Sequence, residues 1–599
     1  MEKSLIHRPE IDGLRALAVI PVVLCHAGLE AFSGGYVGVD VFFVISGFLI
    51  TGILLEELSL DSFSFIRFYE RRARRILPML LAVAIASVPF AWFWMLPEAM
   101  ENFGQSIVAT LLFSNNILLF LTSGYWDLAA AFKPLLHTWS LGVEEQYYLI
   151  FPVILTYAFR RGRTKALATV VALAVLSFVL GELSWRNDPK TSFWLSHTRA
   201  WELLLGSVAA FFVRRNPSQG NSYLSAAGLA CILCSIWVYD STTPFPSYFA
   251  LLPCLGTVLI LLYADATTLT ARILSVRALV GIGIISYSVY LWHQPIFAFS
   301  KVYFRDEPQL MTNLSLALLT LPLSIFSWKF IEQPFRNAEC VRTKSVLLWF
   351  LVPGFLLIFF GASAHFSHGF VGRVFEETDV DKRELFIRYN SRNYALKLDS
   401  FGDSEGANIL VVGNSFARDI VNVLRETYEI SSDKLIYRDD FNACTLRTSS
   451  LGKNLSQAAD LIILSEDHLI RNNACILQLS KRGVESGASV LVVGPKHFGY
   501  NLNWIARIDE GERALLRNPV DREVMAIDRA NENLIPGEHY LSLMRHLVVG
   551  TQVLVTDATG GLLSSDRLHL TRFGARWVGK NVFLNLEATR GLKLRRRTE

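Results

Sequence analysis

The sequence predicts a multi-pass α-helical membrane bundle of about eleven spans, followed by an extracytoplasmic α/β domain. Three observations carry this. Residues 1–363 hold one apolar stretch after another near the bilayer-spanning length of about 20 residues. Residues 364–599 carry dispersed Asp, Glu, Lys and Arg, with short apolar runs that read as buried strands between helical stretches. Over the 599 residues only 18% are charged and 52% are hydrophobic, where a soluble chain carries about 25% charged. The expected division is a membrane domain over 1–363, a polar connector over 364–407 and the α/β domain over 408–599.

Basic residues set the expected orientation, because short cytoplasmic loops collect Lys and Arg. Lys3 and Arg8 place the N-terminus in the cytoplasm. The first apolar run contains Arg15 and no small-x-small site, so it reads as an uncleaved helix and not as a signal peptide. That first span (11–29) leads out to the uncharged SGGY, and the second (37–55) returns to FIRFYERRARRI, with five arginines between Phe65 and Ile76. The third (77–96) exits to the acidic PEAMEN. The stretch 104–121 has Asn115 and Asn116 at its centre, and a crossing there would put RRGRTK (160–165) outside. It therefore reads as re-entrant or buried in a cavity. Spans at 142–159, 165–183, 200–213, 222–239, 248–264, 279–299, 310–328 and 345–363 then alternate. Arg214/Arg215, Arg272/Arg277 and Lys329, Arg336, Arg342 and Lys344 fall inside, and the tail falls outside the cytoplasmic membrane. Cys25, Cys231, Cys234 and Cys254 are in or near spans and Cys340 is cytoplasmic. Cys444 and Cys475 form an even pair in the exported tail, open to a bridge or to two buried thiols. The net charge of +4 gives no argument for a nucleic-acid partner.

Several spans carry more polar chemistry than a structural bundle needs. Arg15 and His26 lie eleven residues apart in the first span. That spacing puts them on one helix face, roughly 16 Å apart along the axis. Ionisable groups are costly in hydrocarbon and persist where they face a polar cavity. The competing reading is a snorkelling arginine and a histidine bonded to a neighbouring helix. Asp40, in GGYVGVDVFFVISGFLIT, is either a partner for His26 or a helix-end charge. Arg72 and Arg75 are three residues apart on one helical face, with Arg71 and Arg74 beside them. Planar guanidiniums suit the phosphates of a nucleotide-like donor, while topology signalling or anionic lipid binding is the plainer reading. HTWSLGVEEQYYLIFP sets His137 and Ser140 ahead of Glu144 and Glu145, two carboxylates that need a cavity or a cation. ISYSVYLWHQP adds Tyr287, Tyr290, His293 and Pro295 near an outer end, partly as an interfacial aromatic belt, and IEQPFR follows at an inner end.

In the tail, ANILVVGNSFARDI reads as a strand, a tight turn at Gly413-Asn414-Ser415, then a helix. A serine there faces the N–H donors of the helix start. Strand-like runs at 460–464, 489–494 and 552–555 extend a parallel α/β layout, with ligands expected at the strand carboxyl ends. DRLHLT supplies Asp566 and His569, a spacing at which the carboxylate can orient the imidazole towards a distant serine.

Taken together, residues 8–336 resemble the membrane-bound acyltransferase type 3 family. The matching pieces are the Arg15-to-His26 spacing, GYVGVDVFFVISGFLIT, FYERRARRILP, HTWSLGVEEQYYLIFP, RAWELLLGS, SYSVYLWHQP and IEQPFR. The resemblance implies transfer of acetyl from cytoplasmic acetyl-CoA to a hydroxyl of an envelope glycan such as lipopolysaccharide O-antigen, or alternatively peptidoglycan. It implies a bacterial inner-membrane location, acetyl-CoA as donor substrate, and neither a bound cofactor nor a metal. Arg15, His26, Arg72 and Arg75 match the family's functional positions, and Glu144 falls in its Trp-Ser-Leu block. Residues 408–585 look like an SGNH-type domain with a flavodoxin-like three-layer fold. Its first and last blocks match Gly413-Asn414-Ser415 and Asp566-x-x-His569, with Asn414 where aspartate is commoner. The middle blocks are not evident: DLIIL is followed by SEDH and not by a Gly-x-Asn-Asp pattern, so the Ser415 N–H is the expected oxyanion donor, and a glycan-binding role for the tail is the alternative. The implied route has Arg72 and Arg75 holding the donor phosphates and His26 acting as general base or transient acyl acceptor. Ser415, with His569 and Asp566, then forms an acyl-enzyme, the alternative being that His26 or Ser415 hands the group directly to the acceptor. Two other classes remain open: a proton-coupled transporter, predicting flux without acetyl-CoA, and a glycan esterase, predicting loss of acetyl groups.

Overall fold

The computed structural model describes residues 8–122, 130–213, 220–337, 343–375, 386–466, 473–535, 537–590, 592 and 594–597. Lys3, Arg214, Arg215, Cys340, Arg342, Asp467 and His468, all used in the sequence reading, lie outside them, as does the side chain of Lys344. The chain divides into two compact units. One takes in Met1–Trp92, Glu101–Lys301 and Pro308–Phe366, the other Phe93–Met100, Val302–Glu307 and Ser367–Glu599.

The first unit is helical. Five helices among the described residues are long and apolar enough to cross a membrane: Glu30–Ser59, Phe65–Trp94, Arg163–Asn187, Leu310–Arg336 and Leu348–Phe366. Others among the eleven expected spans fall short for visible reasons. Pro9–His26 carries Glu10, Asp12 and Arg15 within 18 residues, and Ser196–Phe212 is 17 residues long and holds Arg199 and Glu202. Two expected elements come out broken. The stretch 104–121 consists of parts of Pro97–Leu111 and Asn115–Thr122, parted where Phe113 takes a φ of 52°. Asn115 and Asn116 open the second piece and are fully buried. Asn115 Nδ2 donates to the Leu135 carbonyl (2.9 Å), and Asn116 Nδ2 to that of Trp194 (3.1 Å). Polar side chains thus meet irregular backbone, the condition under which such a break persists in an apolar bundle. The expected span 279–299 is divided between Arg277–Ile284 and Ser286–Tyr303.

The second unit holds a parallel sheet of β1 (Ile409–Val412), β2 (Leu435–Arg438), β3 (Leu461–Ser465), β4 (Ser489–Val493) and β5 (Tyr540–Leu541), in spatial order β2-β1-β3-β4-β5. Its residues alternate between two cores. Ile409, Val411, Leu461, Ile463, Leu491 and Val493 face one, while Leu410, Val412, Ile462, Leu464, Val490 and Val492 face the other. A sheet apolar on both faces needs cover on both, which makes three layers. Two strands of this sheet are not evident in the sequence pattern, Leu435–Arg438 and the two-residue Tyr540–Leu541. One was misplaced: Gln552–Leu554 lies in a small antiparallel sheet with Arg517–Pro519 and Val548–Val549, not in the parallel one. Cys444 and Cys475 are joined in a disulfide that ties the helices Ala443–Thr448 and Asn473–Ser486.

Inside the helical unit, Gly38–Ser59 and Ser196–Phe212 pack backbone to backbone. A Cβ at Gly47 would stand 1.8 Å from the Leu203 carbonyl oxygen, and one at Gly206 1.9 Å from that of Val44. Small residues permit such an approach. A buried ionic triad locks the same pair. Arg199 Nη2 lies 2.8 Å from Asp40 Oδ1, and Arg199 Nε lies 2.9 Å from Glu202 Oε1. Phe43, Trp139, Phe193 and Phe245 place their rings 5.5–5.8 Å from the guanidinium carbon. Removing Arg199 would leave two buried carboxylates without their cation. Arg199→Met is therefore expected to destabilise the helical unit by about 3–5 kcal/mol. Thermal unfolding in detergent checks this, and an unchanged transition would show the triad to be dispensable.

Candidate functional site

Two clusters of reactive side chains emerge, one in each unit. In the helical unit a pocket partly open to solvent is lined by Arg15, Arg72, Arg75, Ser140, Glu144, Tyr148 and Tyr290, among others. Seven residues singled out in the sequence, Arg15, Arg72, Arg75, Ser140, Glu144, Tyr287 and Tyr290, thus share one cavity. The arginine-rich segment sorts itself by partner. Arg71 pairs with Glu57 (2.7 Å), and Arg74, buried, pairs with Glu70 (2.9 Å) and donates to the Phe335 carbonyl (3.3 Å). Arg72 and Arg75, three residues apart on the helix Phe65–Trp94, turn to the cavity instead. Arg72 lies over the rings of Phe68 (6.0 Å) and Tyr148 (5.9 Å), and its Nε has no hydrogen-bond partner among the described residues. Arg15 is only loosely held by Asp12, at 3.5 Å. Cationic forks without tight carboxylate partners are suited to an anionic ligand.

Glu144 accepts hydrogen bonds from Ser46 and from Tyr148, which fixes its carboxylate in the cavity wall. Asp40 is not a partner of His26. It is committed to Arg199, because a cation buried among aromatic rings is the stronger claim on a carboxylate. His26 is not among the residues that line the cavity, but it is connected to that wall. His26 Nδ1 lies 3.2 Å from His293 Nε2, His293 Nδ1 is bonded to the Tyr290 carbonyl, and Tyr290 Oη meets Ser140 Oγ at 2.6 Å. His137 is buried beside them, its ring centroid 5.3 Å from Tyr290 and 5.5 Å from His293. The helix Leu310–Arg336 contributes a π-turn at Trp328–Glu332, where buried Glu332 accepts from Ser288 Oγ (3.0 Å) and Arg336 Nη1 (3.1 Å).

In the second unit, β1 ends at Gly413 with φ 134°, a conformation open to glycine. A Cβ there would stand 2.1 Å from the Ser465 carbonyl oxygen at the end of β3. The turn therefore sits between β1 and β3, where the strand order reverses and open α/β sheets bind ligands. Asn414 caps the helix Ser415–Thr427, its Oδ1 accepting from the Phe416 N–H at 3.0 Å. Ser415 opens that helix. Asp566 Oδ1 accepts from the N–H groups of Leu568 (2.9 Å) and His569 (2.8 Å), and its Oδ2 lies 2.5 Å from His569 Nδ1. The intervening Arg567 takes a φ of 83°, a strained state for a side-chain-bearing residue. The His569 ring meets that of Phe416, the neighbour of Ser415, at 6.1 Å.

The link between the serine and histidine segments lies in residues that sequence reasoning missed. Asp419, one turn beyond Ser415, accepts from the Leu570 N–H (2.9 Å) and from Lys496 Nζ (2.8 Å). Both side chains are fully buried, and Lys496 Nζ lies 3.9 Å from the Phe416 ring centroid. The available signal was GPKHF directly after β4, at a carboxyl end of the sheet.

Electrostatics follow the contacts. Burial works against the charge of Asp566, but His569 and the N–H groups of Leu568 and His569 outweigh it and hold the carboxyl well below its usual range. Burial also opposes the imidazolium of His569, yet Asp566 prevails and raises its pKa above 6.5. Burial pushes Lys496 down despite Asp419, and His497 to about 4.

Among known proteins, a family model described as "Acyltransferase domain" matches residues 8–329. The peptidoglycan O-acetyltransferase OatA of Listeria monocytogenes is 31% identical over 365 residues, 57% of this chain and 58% of that protein. The O-acetyltransferase OatA of Staphylococcus aureus is 28% identical over 385 residues, 58% of this chain and 62% of that protein. A putative O-acetyltransferase of Staphylococcus aureus is 29% identical over 432 residues, 64% of this chain and 68% of that protein. The chain thus spans less than two thirds of the length of the first two relatives.

The Asp566–His569 pair gives a pH signature. Only neutral His569 can take a proton, so any turnover that uses His569 as a base is lost as pH falls through its raised pKa. Asp566→Asn removes the raising partner. It is expected to move the acid limb of the pH–rate profile to lower pH while cutting the rate by about 10²–10⁴-fold. The check is a pH–rate profile of ester turnover, and an unmoved acid limb contradicts the pairing.

Proposed function

Because this chain belongs to the acyltransferase-domain family, we propose that it is an inner-membrane O-acetyltransferase that carries acetyl from cytoplasmic acetyl-CoA to hydroxyls of an extracytoplasmic envelope glycan. The observation that carries the reading is the single cavity shared by Arg15, Arg72, Arg75 and Glu144. Phosphates of the donor bind Arg72 and Arg75, and the acetyl-bearing arm passes Arg15 on its way to His26. In transfer, an acceptor oxygen bonds to the acetyl carbonyl carbon as the thioester C–S bond breaks. The acceptor proton passes to His26 and from there to the departing thiolate, so that CoA leaves as the thiol.

The bundle crosses the membrane eleven times with the N-terminus in the cytoplasm, and the tail is an exported SGNH-type domain. The disulfide Cys444–Cys475 supports an oxidising location for the tail. The β2-β1-β3-β4-β5 sheet with Ser415 at its switch point supports the SGNH assignment. There Ser415 gives its proton to His569 and bonds to the acetyl carbonyl carbon as the ester bond to the first acceptor oxygen breaks, that oxygen taking the proton from His569. The glycan hydroxyl then attacks the acetyl-serine, its proton passing through His569 to restore the serine hydroxyl. Peptidoglycan is the first acceptor to examine, because a relative is named for it. Lipopolysaccharide O-antigen is the second.

The test is the ester-linked acetyl content of both glycans in cells lacking the gene and complemented with wild type, His26→Ala or Ser415→Ala. Wild type restores acetylation of one glycan, and each variant falls at least about 100-fold short. Full acetylation with His26→Ala would remove His26 from the reaction, and full acetylation with Ser415→Ala would make the tail a binding module. A rise in acetyl content on deletion would identify an esterase instead.

A further inference from the structure

We propose that His293 is a positioning residue that fixes the tautomer of His26, leaving His26 Nε2 as the unprotonated nitrogen. This rests on the reading of His26 as the group that takes the acceptor proton. His26 closes the helix Pro9–His26 and keeps an exposed surface, whereas His293, on Ser286–Tyr303, is fully buried. Their nitrogens, His26 Nδ1 and His293 Nε2, are 3.2 Å apart. The ring planes are within 17° of parallel with centroids 5.2 Å apart, so the two nitrogens face each other between the ring centres.

The direction of this bond follows from the third partner. His293 Nδ1 lies 2.5 Å from the carbonyl oxygen of Tyr290. A carbonyl only accepts, so Nδ1 carries the proton, and in a neutral imidazole the other nitrogen is then an acceptor. His293 Nε2 therefore accepts, and His26 donates from Nδ1. Its second nitrogen is left with the lone pair. The opposite tautomer of His26 would set two lone pairs against each other across 3.2 Å. A backbone carbonyl thus determines, through one buried imidazole, which nitrogen of His26 is the base. The same device orients a catalytic histidine by a carboxylate elsewhere; here a neutral ring replaces it. When Nε2 takes the acceptor proton, His293 Nε2 receives a strengthened bond from the His26 imidazolium, and the extra proton then returns to the departing thiolate.

The experiment uses the full chain in proteoliposomes supplied with acetyl-CoA and a peptidoglycan or O-polysaccharide fragment, reading CoA thiol release coupled to ester formation. His293→Ala is expected to lower kcat by about 10²-fold while KM for acetyl-CoA stays within about twofold. His293→Gln, whose amide oxygen can accept from His26 Nδ1, is expected to recover about tenfold of that loss. A wild-type kcat for His293→Ala, or His293→Gln no better than His293→Ala, would overturn the proposal, the second by leaving His293 with packing alone. If His293→Ala does not fold, His293→Gln decides against wild type and His26→Ala: retained turnover supports the proposal, and loss as complete as in His26→Ala overturns it. Full activity of His26→Ala would defeat the underlying reading and the proposal with it. An inactive His26→Ala beside a normal His293→Ala defeats the proposal alone.

Discussion

A guanidinium enclosed by apolar helices must bring its counter-charges with it, and the helical unit is arranged around that constraint at Arg199. Asp40 and Glu202 reach it from the two helices that touch through Gly47 and Gly206, and four aromatic rings close the space around it. Desolvating these charges costs several kcal/mol per ion, so the triad is a device of specificity more than of net stability. It holds Gly38–Ser59 in one register against Ser196–Phe212. That register carries Ser46 to Glu144 and Tyr148, and so sets one wall of the arginine-lined cavity.

The same division, between charges that are partnered and charges left available, separates structure from chemistry across the molecule. Arg71 and Arg74 are held by glutamates of their own neighbourhood, while Arg72 and Arg75 look into the cavity. In the tail, Lys496 and Asp419 neutralise each other in the core and thereby bind the histidine segment to the serine helix. Asp566 is saturated by donors that leave it one role towards His569. Such groups hold reacting groups in place and need not react themselves.

The sequence made legible whatever depended on local pattern. Strand, turn and helix around Gly413-Asn414-Ser415 follow from one apolar run and a capping residue, and the Asp566–His569 pair from a three-residue spacing. The shared face of Arg72 and Arg75 was equally readable. What depended on long-range partners was not. Nothing local tells Asp40 that Arg199, at a separation of 159 residues, has the stronger claim on it than His26. Tyr540–Leu541 is too short to show a period, and Gln552–Leu554 reads as a strand but not as one of a second sheet. The break at Ile285 was hidden because apolar periodicity runs through it, although Gly281 and Gly283 stand just before it. Asp419 and Lys496 each look like an ordinary surface charge until the fold buries them together.

The central claim, that an acyl group passes through the helical unit from one side of a membrane to the other, is tested most directly by sidedness. Sealed vesicles with the cytoplasmic face outward would receive radiolabelled acetyl-CoA outside, with the acceptor glycan enclosed in the lumen. The account predicts ester-linked label on the enclosed glycan and free CoA outside, both lost with His26→Ala. Label that reaches glycan only when donor and acceptor share the same side would contradict it.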